Sequence, residues 1–219
     1  MSITKPIDDM GRVWSKQLVD ENSKLKPYRL QLMDAVVKCL TLSKVDFWMS
    51  DGTMLGAWRD GKMIQHDCDI DFSMKECDLN RVNVTYLPPW VGVKYIPNLK
   101  VAMSPVHKFN HDVDKYKKIV FIHLNAPEFS FKDELQESSA ELDLYTISKV
   151  TENSNMWTKN DYRYPQSWSQ DTLFPLCVFE FEGRRLTGPR YPEVYLTRLY
   201  GYIGENAVWD EHTKRYIKG

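Results

Sequence analysis

The densest group of potentially catalytic side chains is the acidic run Asp67-Cys68-Asp69-Ile70-Asp71. From Asp69 onward, polar and apolar residues alternate, which is typical of a half-buried strand. Residues i and i+2 of a strand point to the same face, so Asp69 and Asp71 present their carboxylates to one point. An isolated pair of this kind also fits a solvated acidic turn. The alternating Ile70 and Phe72 favour a strand, on which a hard divalent cation would neutralise the two charges.

An EF-hand calcium loop is the obvious alternative for three aspartates at this spacing. With Asp67 at loop position 1, position 6 is Phe72, where the loop requires glycine. Position 12 is Asp78, where the loop uses glutamate. The sequence therefore excludes an EF-hand.

A second group of residues precedes the acidic run. Val45–Met49 is predicted to form a buried strand, and Met54–Trp58 to form a short helix with Thr53 as its N-cap. Gly52 and Thr53 lie between them, where small residues let a phosphate approach the N–H groups of a helix start. A Gly-Thr pair alone usually marks only a turn. Followed by an acidic strand, it gives the layout of a nucleotidyltransferase-type site, in which a metal bridges bound phosphates.

Three further residues are candidates for such a site. Asp143 is flanked by Leu142 and Leu144, as expected for a strand carboxylate aimed into a site, although a solvent-facing strand residue fits as well. Arg59 could clamp phosphate oxygens or pair with its neighbour Asp60. His66 could tune the acidic cluster or touch substrate. A wider basic rim could come from scattered residues: Lys115, Lys117, Lys118, Arg184, Arg185 and Arg190.

The stretch from Asp51 to Asp71, DGTMLGAWRDGKMIQHDCDID, resembles the signature of the LicD/fukutin phosphotransferases, roughly GTLLGAVRHGGFIPWDDDIDI. The stretch from Phe181 to Gly201 is similar to the end of that family, where a hairpin and a proline precede a helix closing on L-x-x-x-Y-G. The sequence departs from the signature at Lys62, Gln65, His66 and Cys68.

The resemblance implies a nucleotidyltransferase-superfamily fold and a reaction. In that reaction a phosphorylated alcohol or sugar moves from a nucleoside diphosphate donor, CDP-linked by preference, to a hydroxyl of a glycan or small-molecule acceptor. A nucleoside monophosphate leaves. The cofactor would be Mg²⁺ or Mn²⁺. The implied positions are the metal ligands Asp69 and Asp71, the third ligand or base Asp143, the adjacent acid Asp67, and the phosphate turn of Gly52 and Thr53.

Other functions stay open on the sequence alone. A nucleotidyltransferase would use a nucleoside triphosphate and release pyrophosphate. A metal-dependent glycosyltransferase would explain the paired aspartates but not the Gly-Thr turn or Asp143. A non-catalytic nucleotide- or glycan-binding relative is a further alternative, against which the intact acidic residues argue.

The helices and strands predicted around these residues indicate an α+β fold with a nucleotidyltransferase-like mixed sheet flanked by helices. We predict one catalytic domain over residues 1–219, with a helical part at about 8–43, a sheet at about 45–150 and a C-terminal part at about 151–219. Further strands are predicted at Val91–Ile96, Lys100–Met103, Lys118–Asn125 and Glu141–Val150. The C-terminal part is predicted as a long loop, Asn153–Gln170, a hairpin, Cys177–Thr187, and a helix, Pro192–Tyr200.

Composition excludes several other classes. The net charge of −1 argues against broad nucleic-acid binding. The most apolar run, Ile119–Ile122, is far shorter than the roughly 20 residues of a membrane span. The N-terminus has no signal-peptide pattern, and the four cysteines form no dense framework. These features predict a cytoplasmic protein with reduced thiols and leave its oligomeric state open.

Overall fold

The computed structural model describes residues 16–65, 67–96, 118–127, 129–131, 136–159, 166–210, 212–213 and 215–219. Helix α1 (Lys16–Leu42) accounts for most of the helix predicted at 8–43. Residues 8–15, the strand predicted at Lys100–Met103 and the candidate His66 lie outside the described residues.

A seven-stranded mixed sheet forms the centre of the structure. Its members are β1 (Phe47–Met49), β2 (Asp69–Lys75), β3 (Val91–Ile96), β4 (Lys118–His123), β7 (Glu141–Lys149), β8 (Met156–Lys159) and β9 (Ser167–Ser169). The order is β1-β2-β7-β4-β3, with β8 between the end of β7 and β9. The pair β2–β7 is parallel and the other pairs are antiparallel. Two strands outside this sheet, β5 (Phe129–Phe131) and β6 (Gln136–Ser138), pair with each other.

The two faces of the sheet differ in chemistry because side chains alternate along each strand. One face is apolar and packs against buried residues of α1. Its central side chains are Ile70, Phe72, Ile119, Phe121, Leu142 and Leu144, all fully buried. The opposite face carries the residues in between, including Asp69, Asp71 and Asp143. Packing on α1 therefore turns the acidic residues toward the other side of the sheet.

The other α-helices and strands of the described residues are short. They are the helices α2 (Asp51–Asp60), α3 (Gln170–Leu173) and α4 (Pro192–Tyr200), and the strands β10 (Cys177–Phe181), β11 (Arg184–Gly188), β12 (Ala207–Asp210) and β13 (Arg215–Lys218). The pairs β10–β11 and β12–β13 are antiparallel hairpins. The first hairpin and α4 confirm the hairpin predicted at Cys177–Thr187 and the helix predicted at Pro192–Tyr200, and Gly201 follows α4 at a φ of +87°.

The predicted α+β class with a mixed sheet is confirmed, but the long loop predicted over Asn153–Gln170 is wrong. This stretch contains β8 and β9, which extend the sheet beside the end of β7. The two buried residues of β8 are Trp157 and Lys159. Because a lysine is rarely buried, the period-2 pattern of this short strand is hidden in the sequence.

Two of the shorter predicted elements have different bounds in the structure. The strand predicted at Val45–Met49 begins at Phe47, and the strand predicted at Lys118–Asn125 ends at His123. Among the helices of the described residues, none combines the length and apolarity needed to cross a bilayer.

Candidate active site

Strand register brings the three candidate carboxylates together. In the parallel pair β2–β7, Asp71 lies directly opposite Asp143, and Asp69 lies opposite Glu141. Oxygens of Asp69, Asp71 and Asp143 all lie within 4.8 Å of one another. Asp71 and Asp143 are only 7% and 4% exposed, respectively. Three carboxylates therefore meet at one largely buried point.

The chemistry of this point fits a divalent cation. Among the described residues, the Asp143 Oδ1 atom is buried and has no hydrogen-bond partner. A buried carboxylate oxygen without a partner is costly unless a cation or a water satisfies it. Mg²⁺ holds its oxygen ligands at about 2.1 Å in an octahedron, so adjacent ligands lie about 3 Å apart and opposite ligands about 4 Å apart. Binding of one ion would therefore draw the three carboxylates somewhat closer together than the 4.8 Å within which they now lie.

The other oxygen of Asp143 has two protein partners. Lys118 begins β4 directly opposite Tyr145, and its Nζ forms an ion pair with Asp143 Oδ2. The Tyr145 hydroxyl donates to the same oxygen at 3.0 Å. Tyr145 follows Asp143 by two residues on β7, so both side chains lie on the same face of the strand. The acidic face of the sheet therefore also carries the ammonium group of Lys118 and the phenol group of Tyr145.

A second ion pair borders the site at the start of α2. Lys159 is 4% exposed, and its Nζ lies 2.5 Å from Asp51 Oδ2 and 3.5 Å from the centre of the Tyr145 ring. Asp51 begins α2 with a φ of +48°, a conformation that costs free energy in a residue with a side chain. The buried Lys159–Asp51 pair holds the first residue of α2 in this strained conformation.

Burial and like charges perturb the ionisation of this cluster. Burial, followed by the neighbouring Asp69, raises the pKa of Asp71 well above its usual range, and Lys159 acts in the opposite direction. Burial also raises the pKa of Tyr145 well above its ordinary value, and Asp71 and Asp143 reinforce the effect. Tyr145 is therefore a neutral hydrogen-bond donor at physiological pH. Strongly perturbed groups that converge in this way are typical of functional sites.

The start of α2 is joined to the acidic strand by backbone groups. Thr53 was predicted as the N-cap of a helix at Met54–Trp58, and that prediction is wrong: α2 begins at Asp51, with Ser50 as its N-cap. Thr53 lies in the first turn, where its hydroxyl accepts a hydrogen bond of 2.8 Å from the Asp71 N–H. The Ser50 N–H donates to the Asp71 carbonyl at 3.0 Å. Both bonds join residues that follow β1 to the backbone of β2. They hold the start of α2 against Asp71.

Gly52 lies in close approach to the side chain of Asp67, which would have to move if residue 52 carried a Cβ atom. A Cβ atom added to Gly52 would lie 2.4 Å from Asp67 Oδ2. The Asp67 carboxylate therefore lies against the start of α2, where the helix dipole stabilises negative charge. This arrangement places Gly52, Thr53 and Asp67 at one end of α2, next to the three carboxylates.

Arg29 of α1 links the segments that lead into both acidic strands. It is fully buried. Its guanidinium donates to the carbonyls of Ser139 at 3.1 Å and Asp67 at 3.5 Å, and to Asn22 Oδ1 at 3.1 Å. Ser139 precedes β7 and Asp67 precedes β2, so Arg29 ties together the starts of the two parallel strands. Arg29 was not predicted as a functional residue, although its spacing from Leu25 and Leu32 places it on the buried stripe of α1.

Arg29→Met is expected to destabilise the fold by about 3 kcal/mol, because it leaves buried carbonyl and amide groups without a donor. Urea unfolding monitored by circular dichroism measures the loss. Arg184→Met is the matched control. Arg184 makes a bidentate ion pair with Asp34 of α1 at 2.6 and 2.7 Å, but its side chain is partly exposed. That change should cost no more than about 1 kcal/mol. Equal losses would show that Arg29 has no special role in joining the strands.

Of the other candidates, Lys118 contacts the carboxylates, Arg59 lies apart from them, and His66, Lys115 and Lys117 lie outside the described residues. Arg59 is in the last turn of α2, about 12 Å along the helix axis from Asp51. Its Nε pairs with Asp60 Oδ2 at 2.9 Å, the alternative that the sequence left open. Of the wider basic rim, Lys118 reaches the site, whereas Arg184 pairs with Asp34.

Three residues around the carboxylates were not predicted as site residues: Asp51, Tyr145 and Lys159. Tyr145 could have been found, because it stands two residues after Asp143 in a predicted strand. Asp51 directly precedes the Gly-Thr pair, but nothing local shows that it bonds to a lysine. Lys159 lies 108 positions from Asp51 in sequence, and only the pairing of β8 with β7 brings it to the site.

The fold and the site together have the layout of a nucleotidyltransferase-type transferase domain. The family model described as LicD/FKTN/FKRP, nucleotidyltransferase domain, matches residues 44–191. This match covers more than half of the chain, and the chain belongs to that family. Membership supports a phosphotransferase- or nucleotidyltransferase-like role in glycan modification. No curated protein sequence matches the chain significantly.

The matched span contains most of the candidate site. It includes the start of α2, the acidic strand β2, Asp143 and Lys159, and it ends before α4 begins at Pro192. Arg29 lies outside it, on α1. The helix that ties the two acidic strands together therefore lies outside the matched span.

Proposed function

We propose that the protein is a metal-dependent phosphotransferase. It moves a phosphorylated alcohol or sugar from a nucleoside diphosphate donor, CDP-linked by preference, to a hydroxyl of a glycan or small-molecule acceptor, and a nucleoside monophosphate leaves. The observation that carries this proposal is the convergence of Asp69, Asp71 and Asp143 within 4.8 Å, beside a Gly-Thr helix start, in a member of the LicD family.

Asp69, Asp71 and Asp143 would hold Mg²⁺ or Mn²⁺. A cation bound there supplies charge neutralisation for the phosphates and for the leaving nucleotide. Five carboxylates, including Asp51 and Asp67, lie in this part of the structure with two ammonium groups, those of Lys118 and Lys159. A divalent cation would reduce this local excess of negative charge.

The residues of the chain have separate tasks in this reaction. The N–H groups at the start of α2, around Gly52 and Thr53, would bind a donor phosphate, because N–H groups at a helix start point out of the helix end. Asp143 would orient the acceptor hydroxyl or take its proton as the new P–O bond forms. Asp67, against Gly52, restricts where an anionic donor can approach. The structure gives no support to Arg59 as a phosphate clamp, since it pairs with Asp60 at the far end of α2.

Nucleotidyl transfer from a nucleoside triphosphate is the alternative that the same site would serve. Both reactions need a metal-bound polyphosphate and a hydroxyl nucleophile, but they break different bonds. Attack on the phosphorus nearer the transferred alcohol releases a nucleoside monophosphate, whereas attack on the α-phosphorus of a triphosphate releases pyrophosphate. The released product therefore separates the two functions.

A thermal-shift panel followed by product analysis tests the proposal. CDP-, GDP-, UDP- and ADP-linked alcohols and sugars, together with the four nucleoside triphosphates, are screened with Mn²⁺, with Mg²⁺ and with EDTA. We expect a metal-dependent rise in Tm with a diphosphate-linked donor, because a ligand that binds only the folded state stabilises it. Donors that raise Tm are then incubated with candidate glycan acceptors, and the nucleotide product is identified by chromatography.

The possible products lead to different conclusions. Release of a nucleoside monophosphate supports the phosphotransferase proposal. Release of pyrophosphate identifies the nucleotidyltransferase. Tight nucleotide binding without turnover by any donor–acceptor pair would favour a non-catalytic binding protein. The same assays with Asp46→Asn provide a control, since Asp46 is a 73% exposed side chain beyond the site.

A further inference from the structure

The positive charge of Lys118 lies beside Asp143, a carboxylate that a divalent cation would also bind. Its ammonium pairs with Asp143 Oδ2 and lies 3.4 Å from the Tyr145 hydroxyl and 4.8 Å from the centre of the Tyr145 ring. The second oxygen of the same carboxylate, Asp143 Oδ1, is the buried atom that has no hydrogen-bond partner among the described residues. A cation on Oδ1 and an ammonium on Oδ2 would lie only a few ångströms apart and repel each other.

The two lysines of the site differ in how firmly they are held. Lys159 has a side chain that is 5% exposed and lies between Asp51 and the Tyr145 ring. The side chain of Lys118 is 25% exposed, although the Asp143 carboxylate that it contacts is 5% exposed. Lys118 also occupies the first position of β4, at the end of its pairing with β7. Of these two ammonium groups, that of Lys118 lies closer to solvent, so it can leave its carboxylate and become hydrated.

We infer that Lys118 is an exchangeable counter-ion of the metal site. Its ammonium neutralises Asp143 while no metal is bound, and it leaves the carboxylate when a divalent cation binds to Asp69, Asp71 and Asp143. This inference rests on the metal dependence of the proposed function and adds a residue that controls it. Metal binding is then an exchange of one cation for another, so Lys118 sets the metal concentration at which the site fills.

The test is isothermal titration of MnCl₂ into the wild-type protein and into Lys118→Met and Lys118→Gln, which remove the charge. We expect both variants to bind Mn²⁺ about tenfold more tightly or better, because the cation no longer has to displace an ammonium group from Asp143. Lys118→Arg keeps the charge and should bind Mn²⁺ no more tightly than the wild type. Lys94→Met is the control for net charge, since Lys94 is an exposed residue of the neighbouring strand β3.

Thermal melts of the same proteins give a readout that a structural role of Lys118 would not produce. In EDTA, Lys118→Met and Lys118→Gln should melt below the wild type, because Asp143 has lost its counter-ion. With saturating Mn²⁺, the rise in Tm should be larger than in the wild type. A variant that is merely misfolded would show a lower Tm in both conditions and weaker Mn²⁺ binding, which would overturn the inference.

The remaining outcomes separate this inference from the proposed function. If the wild type binds Mn²⁺ and neither neutral variant binds it more tightly, the exchange is disproved while the metal site stands. If neither the wild type nor any Lys118 variant binds Mn²⁺, both the inference and the metal dependence of the proposed function are wrong. Tighter binding by Lys94→Met to the same extent would assign the effect to net charge and overturn the role of Lys118.

Discussion

Asp143→Asn is expected to lower kcat by about 10²-fold or more, the usual range for loss of a general base, with a smaller change in the KM for the donor. Asparagine keeps the shape of the side chain and an acceptor for Lys118 and Tyr145, so the strand pairing should persist. The lost charge removes either a metal ligand or the group that takes the acceptor proton. Steady-state kinetics with a productive donor and acceptor measure both constants.

Asp46→Asn makes the same chemical change at an exposed position and should leave kcat unaltered. Circular dichroism of both variants confirms that they are folded. If Asp143→Asn retained the wild-type kcat, Asp143 would have no part in catalysis, and its position opposite Asp71 would be a feature of the fold alone.

Asp71→Asn is expected to make the metal-free protein more stable at neutral pH while abolishing its stabilisation by metal. The raised pKa of Asp71 means that the folded protein binds a proton there more tightly than the unfolded chain does. Stability from this group is therefore greatest below the unfolded pKa of about 3.9 and declines as the pH rises toward the folded pKa. Each unit by which the pKa is raised costs about 1.4 kcal/mol once the pH exceeds the folded value, and asparagine avoids that cost.

Urea unfolding in EDTA at several pH values between about 4 and 8 measures this effect, since that range lies above the pKa of the unfolded carboxyl. The wild type should lose stability with rising pH more steeply than Asp71→Asn. In MnCl₂ the order should reverse, because only the wild type has the full set of ligands. A variant less stable than the wild type in EDTA at neutral pH would contradict the prediction, and Asp46→Asn should follow the wild type throughout.

The Arg29 network shows why some of the structure could not be predicted. Its bonds run to carbonyls of Asp67 and Ser139, whose positions depend on where two distant strands begin. Lys159 is a similar case, because a buried lysine has no signature in a local window until its partner Asp51 is known. Sequence periodicity describes one element at a time, whereas these residues act between elements.

The sequence by itself determined that Asp69 and Asp71 share one face of β2, since a strand repeats every two residues and Ile70 and Phe72 require the other face. Local chemistry likewise indicated the strand before α2 and the Gly-Thr start of that helix, although not its first residue. Only the tertiary structure decided that Asp143 joins the pair. Its place depends on the parallel register that sets Asp71 opposite Asp143, and a shift of one residue would turn Asp143 to the apolar face against α1.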